Sequence, residues 1–257
     1  MNAWPEPVAR SLAPIEVDGR AVPVTLRTSA RASRLRITVR AGGVEVVVPK
    51  RARLRDAHAF LAQAASWIED RVRRVRRAGE AHPASARLEQ GGRILLRGRA
   101  CRLDVVPGAA RTGRIDAGDE GIRVVLPAGL AREEREPLLE GALTRWLRGE
   151  ALRDALAFVA RHGPPNRLAP SAVRVKEQAS RWGSCSSRGA INLNWRLVLA
   201  PPEVFEYVVV HELCHLEHPH HQPPFWRRVA ELMPDYGRHR RWLREHGQSL
   251  TLRPPVL

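Results

Sequence analysis

Lysine is almost missing from this chain. Lys50 and Lys176 are the only two among its 43 Lys and Arg residues, so the formal charge of +16 at pH 7 is carried almost wholly by guanidinium groups. Clustered cations release counterions when they meet phosphates, which invites a nucleic-acid partner. The same surplus also makes an ordinary solvated basic surface, so charge alone assigns nothing. Cysteine is scarce too: Cys101, Cys185 and Cys214 are odd in number and widely spaced, which argues against a disulfide framework and suits a reducing compartment. No run approaches the roughly 18 apolar residues of a membrane-spanning helix. The opening MNAWPEPVARSLAP has neither the charged start nor the apolar stretch of a secretory signal. The expectation is a soluble, cytoplasmic protein with no membrane contact. Its 257 residues suffice for one large domain or two modest ones.

What is present is alternation, then helical periodicity. In LRITVRAGGVEVVV, residues 35–48, Leu35, Ile37 and Val39 alternate with polar residues, Ala41-Gly42-Gly43 supplies a turn, and Val44, Val46 and Val48 resume the pattern. That predicts a β-hairpin. A helix follows from about Leu54 to Arg76, with Phe60, Leu61, Ala64, Trp67, Ile68 and Val72 at three- and four-residue spacing. GVEVVVP at 43–49 is answered by GIRVVLP at 121–127, and Trp67 by Trp146, which suggests a two-fold repeat of hairpin plus helix. The second helix spans Arg132 to His162, from an acidic turn with Pro137 to Gly163-Pro164-Pro165. Strands are expected at Val173 to Lys176, Ala179 to Cys185 and Ala190 to Trp195. Pro201-Pro202 opens the next helix; two short ones follow, one started by Pro223-Pro224, one capped by Asp235 and ended by Gly247. The stretch from Ala78 to Arg87 is the expected linker.

HELCHLEHPHHQPPFW, residues 211–226, holds five of the ten histidines. Residues four apart on an α-helix lie one above the other, so His211 and His215 can aim two imidazoles at one point. Zinc accepts neutral imidazole nitrogen, and a catalytic site takes three protein ligands and leaves a fourth position open. Glu212 is then placed to take a proton from a water held there. HExxH alone is a short pattern, but the turn before it is apolar, and unpartnered polar rings are costly in a buried helix. The third ligand must lie beyond His215. Pro219 disfavours helical geometry at His218, after which His220 and His221 are both able to swing back. Cys214 reads as a small packed residue.

Together with SRWGSCSSRGAINLNWRLVLAP at 180–201 and MPDY at 233–236, this stretch resembles the YgjP-like metallopeptidase family, related to the zincin peptidases. The resemblance implies an α+β fold: an antiparallel or mixed sheet with an edge strand, the HExxH helix, the long 132–162 helix behind it, and a strand-rich N-terminal portion. It implies division into residues 14–80 and a metallohydrolase domain at 86–257, most specific over 170–247. In that family the pattern runs HExxH, five intervening residues, then His, followed shortly by Phe-Trp, so His221 is implied as the third ligand of one zinc ion and Glu212 as general base. The implied substrate is a peptide or protein. RWGSCS is implied to border the cleft, with Arg181, Trp182, Ser184 and Tyr236 as substrate contacts. Gly183 suits a bulge or a close backbone approach. Arg181 has an alternative as partner of Asp235, and Tyr236 and His239 are candidate oxyanion stabilisers. Two other functions fit the same residues: metal-dependent hydrolysis of a nucleotide or other phosphate-bearing compound, and a non-enzymatic nucleic-acid-associated protein whose structural zinc is closed by Cys214 or Glu231.

Overall fold

The computed structural model describes residues 9–252 apart from 31, 41, 82–87, 110–111, 119 and 179–180, and the chain divides into two units whose described parts are residues 9–81 and 88–252. The first unit opens on a hairpin, β1 (Ala9–Val17) and β2 (Arg20–Ser29), turned by Asp18 and Gly19, both at positive φ (52° and 72°). Two such residues in succession twist the turn in the sense of the strands. The expectations from sequence do not include this hairpin, although Asp-Gly between alternating segments is its strongest short signal. β3 (Arg36–Arg40) and β4 (Gly43–Pro49) are the expected hairpin, with turn residue 41 outside the described residues. The sheet runs β1-β2-β4-β3, parallel between β2 and β4 and antiparallel at both flanks.

Its buried face, Val22, Val24, Leu26, Val44, Val46 and Val48, packs on Ile68, Val72 and Val75. The expected single helix is two, α1 (Leu54–Gln63) and α2 (Ala65–Ala81). Trp67 leaves the predicted apolar face and is 51% exposed. The reason is angular: Ile68, Val72 and Val75 form the inward i, i+4, i+7 stripe, and Trp67 lies about 100° to one side of it. Of the expected linker, the first residues continue α2, and 82–87 lie outside the described residues.

The second unit repeats the arrangement. β5 (Arg93–Leu96), β6 (Arg99–Gly108), β7 (Arg114–Gly118) and β8 (Gly121–Pro127) run in the order β5-β6-β8-β7, again parallel only at the centre, and Arg97-Gly98 turn the first hairpin at φ 49° and 75°. The repeat is thus four strands before a helix rather than the single hairpin expected from the sequence. Gly43 and Gly121 hold equivalent places, at φ 122° and 138°; a Cβ on Gly121 would lie 2.6 Å from the Arg102 carbonyl oxygen, and one on Gly43 would strike Pro23. Gly121→Ala is therefore expected to destabilise the protein by about 1–3 kcal/mol, read as a lower urea midpoint. An unchanged midpoint would contradict the close approach.

α3 (Arg132–His162) follows and supplies the backing of the second unit. Its Leu139, Leu143, Leu147, Ala151, Ala155 and Phe158 are buried, and Phe158 meets Phe205 edge to face at 5.6 Å. A second sheet is built from β9 (Ala172–Lys176), β10 (Gly183–Cys185) and β11 (Ala190–Asn194) in the order β10-β11-β9; β9 and β11 are parallel, β10 and β11 antiparallel, so β10 is an edge. Of the strand expected at Ala179 to Cys185, 179–180 lie outside the described residues. Trp195, expected in a strand, instead begins a 3₁₀ turn (Trp195–Leu199), because the Asn194 side chain accepts the Arg196 N–H and closes the strand. Three helices complete the unit: α4 (Pro202–Cys214), α5 (Pro223–Leu232) and α6 (Tyr236–His246). Asp235 stands at the N-cap of α6 without a side-chain capping bond.

Arg97 links the two sheets' surroundings to α3. Its N–H donates to the Val198 carbonyl at 2.7 Å, while its guanidinium donates to Asp154 at 2.7 and 2.9 Å and to Glu150 at 2.9 Å, both on α3. At the far end of α3, His162 meets Glu206 of α4 at 2.8 Å. The architecture is α+β with mixed sheets and six helices among the described residues, none of them long and apolar enough to cross a membrane.

Candidate metal centre

α4 is apolar nearly all round: Val204, Phe205, Val208, Val209, Val210, Leu213 and Cys214 are buried. Such a helix belongs in a core, which makes its polar members conspicuous. Glu212 is only 4% exposed, and His211 is followed one turn later by His215, their ring centres 5.0 Å apart. The helix stops at Cys214, earlier than Pro219 alone would require, and the chain folds back through a turn in which His218 N–H donates to the Cys214 carbonyl. That return delivers His221 just before Pro223 and Pro224 start α5.

His211, His215 and His221 each offer a ligand atom, and these atoms lie within 4.8 Å of one another. The Nε2 atoms of His211 and His221 are 3.0 Å apart. His215 Nδ1 sits 3.0 Å from the His218 carbonyl oxygen, which fixes the ring and leaves Nε2 for the shared point. His218 therefore contributes its carbonyl to this arrangement, and His220 is exposed and outside the group. Burial, then the neighbouring His215 and His221, pushes His211 down to about 3; burial and His215 likewise lower His221. Both rings are thus neutral at pH 7, the ligating form. A shared proton can bridge only two of the three nitrogens. A cation with bonds of about 2.0–2.1 Å sets its ligands roughly 3.3 Å apart in tetrahedral geometry, so the three donors fit a divalent metal.

Two aromatic residues of α5 hold the rings. Phe225, fully buried, stacks on His215 at 4.5 Å and meets His211 edge-on at 4.9 Å; Trp226 stacks on His221 at 5.6 Å. The stack continues from Trp226 to Tyr236 at 5.6 Å and on to Tyr207 at 6.4 Å. His221 is exposed, so this stacking is what orders it. Sequence reasoning does not assign Phe225 and Trp226 this work, although Phe-Trp one turn into a proline-started helix after the last histidine is the available signal.

The Glu212 carboxylate lies against β10. It accepts the Cys185 backbone N–H, and its Oε2 has no partner. Burial pushes its acid up to about 8, against the opposing pull of Arg181 and of that N–H. A Cβ on Gly183 would lie 2.7 Å from Glu212 Cγ and strike Oε1. Gly183→Ala is therefore expected to displace the carboxylate and destabilise the protein by about 1–3 kcal/mol, read as a lower urea midpoint; an unchanged midpoint would contradict the contact.

The remaining sequence candidates are scattered around this centre. Arg181 is exposed, its charge reaches Glu212, and it forms no ion pair with Asp235 among the described residues. Trp182 is half-buried against Gly247. Alternation along β10 turns Gly183 toward Glu212 and Ser184 to the opposite face. Tyr236 stands in the ring stack, and His239 is buried on α6. Cys214 is fully buried with its thiol pushed up to about 12 by that burial, and Glu231 pairs with Arg228 at 3.2 Å; neither belongs to the group of three. Arg240 and Arg244, one turn apart on α6, reach a cavity beside His211 and Glu212 that the sequence does not foretell. Their i, i+4 spacing is its only trace.

The family model of a YgjP-like metallopeptidase domain matches residues 33–246. No curated protein sequence matches the chain.

Proposed function

Because the chain belongs to the YgjP-like metallopeptidase family, we propose that it is a zinc-dependent hydrolase of peptide bonds, with His211, His215 and His221 as the metal ligands and Glu212 as general base. The observation that carries this reading is the convergence of three imidazoles beside a buried, half-satisfied carboxylate. A zinc ion held there supplies a Lewis acid that acidifies water and polarises the scissile carbonyl.

The chain's own groups do the rest. The Cys185 N–H steadies one face of the Glu212 carboxylate, and the unpartnered Oε2 takes the proton and passes it to the leaving amine. β10, an edge strand, offers main-chain hydrogen bonds to an extended peptide. Arg181, whose charge already reaches Glu212, is the cation placed to oppose a developing oxyanion. Trp182 walls the adjoining cavity, and Tyr236 backs the ring stack. The activity is assigned to residues 86–257, most specifically 170–247, with residues 14–80 as an accessory portion. Neither Cys214 nor Glu231 is available to close the coordination shell, which favours an open catalytic position over a structural zinc.

The test is zinc content together with cleavage of a diverse peptide mixture read by mass spectrometry. About one zinc per chain is expected, with cleavage removed by a chelator and restored by zinc. Undiminished cleavage by metal-free protein would refute the reading.

A further inference from the structure

Beside the three imidazoles, α4, α6 and the residues leading into β10 enclose a cavity of about 350 Å³. Trp182, Tyr207, Val208 and Leu243 give it apolar walls, and Arg181, Arg240 and Arg244 give it three guanidinium groups. Glu212, which the proposed reaction employs, is the one carboxylate among its described lining residues. Arg240 is posted there by its own neighbour, its guanidinium carbon 4.5 Å from the Trp226 ring centre. Neither Arg181 nor Arg240 has a carboxylate within ion-pair distance among the described residues, and Arg244 reaches Glu245 only at 3.9 Å. Elsewhere in this unit Arg97 pairs with Asp154, Arg228 with Glu217 and Arg196 with Glu177. What sets Arg181 and Arg240 apart is that both line one apolar-walled cavity, where an anionic ligand would meet them together.

We infer that this cavity receives an acidic side chain of the peptide substrate, aspartate or glutamate, at a residue flanking the scissile bond, with Arg240 as the group that fixes its carboxylate. The inference rests on the peptidase reading above and narrows its substrate class. The apolar walls accept the methylene stem, and guanidinium matches carboxylate with paired, directional hydrogen bonds. A lysine or arginine in the same place meets three like charges, and an amide isostere leaves the guanidiniums unneutralised.

The experiment compares matched peptides that carry Glu, Gln or Lys at each position flanking the cleaved bond. Two readings are taken: kcat/KM with the zinc-loaded protein, and equilibrium binding to zinc-loaded Glu212→Gln followed by tryptophan fluorescence, since Trp182 lines the cavity. Glu over Gln by at least about tenfold, the scale of one charge-assisted hydrogen bond, is expected at one position in both readings. The binding preference should shrink with added salt. In Arg240→Gln and Arg240→Glu the Glu-to-Gln ratio should collapse toward one. If Glu212→Gln does not fold, the kcat/KM series decides alone. Cleavage with no preference for Glu at any position overturns the inference and leaves the peptidase reading standing. A nucleoside triphosphate hydrolysed while no peptide is cleaved or bound overturns both. Preferential binding of the Glu peptide without cleavage supports the cavity assignment and counts against hydrolysis.

Discussion

Replacing Glu212 by Gln is expected to leave a folded protein that binds as much zinc as the original and hydrolyses peptide with kcat/KM lowered about 10²–10⁴-fold. The side chain keeps its shape, and the amide oxygen still accepts the Cys185 N–H. The substitution breaks no ion pair, because Oε2 has no partner and no ion pair involves Glu212 among the described residues. What is lost is the oxygen that receives the proton. Burial also gives the substitution a signature in the metal-free protein. The acid of Glu212 stands at about 8 in the fold against its ordinary 4.5. Between those values the folded chain holds a proton on this group that the unfolded chain has released, so the contribution of Glu212 to stability falls as pH rises from 4.5 through 8. Glu212→Gln lacks that loss. Its melting temperature, relative to wild type, should rise across the same window. Wild-type rates in the metal-loaded variant would remove Glu212 from the chemistry, and a melting difference flat with pH would contradict its burial as an acid.

His221→Ala should weaken zinc binding by more than the roughly 10–100-fold that loss of an outer partner costs, and abolish hydrolysis. His220→Ala should change neither by more than about twofold. The two residues are neighbours in an irregular segment, and their side chains are separated by what holds them. His221 Nε2 stands 3.0 Å from His211 Nε2 and its ring stacks on Trp226; His220 is exposed, and its carbonyl accepts the Gln222 N–H at 2.8 Å. Equilibrium dialysis against a zinc buffer measures both variants. Loss of zinc in His220→Ala with retention in His221→Ala would exchange their roles.

Where the physics is local, the amino-acid sequence displays it directly. α3 occupies Arg132–His162 because an acidic first turn, an early proline and Gly163-Pro164-Pro165 mark its two ends. His211 and His215 need only the helix period. His221 needs the family resemblance, because no spacing rule distinguishes it from His220 once the helix has ended. The Asp18-Gly19 hairpin is equally local, and it is missed only for want of a strand expectation ahead of residue 35. Trp67 misleads because a large apolar residue next to a helical stripe looks like part of it, and only the sheet it packs on decides which side is inward. The stack of Phe225, Trp226, Tyr236 and Tyr207, and the arginines of α6 facing Glu212, depend on α4, α5 and α6 meeting. That meeting is a tertiary fact with no period in the sequence.

Metal K-edge X-ray absorption on the zinc-loaded protein tests the centre most directly. Three imidazole nitrogens at about 2.0–2.1 Å and one further light donor are expected, falling to two imidazoles in His221→Ala. A sulfur at about 2.3 Å, or only two imidazoles in the unsubstituted protein, would contradict the account.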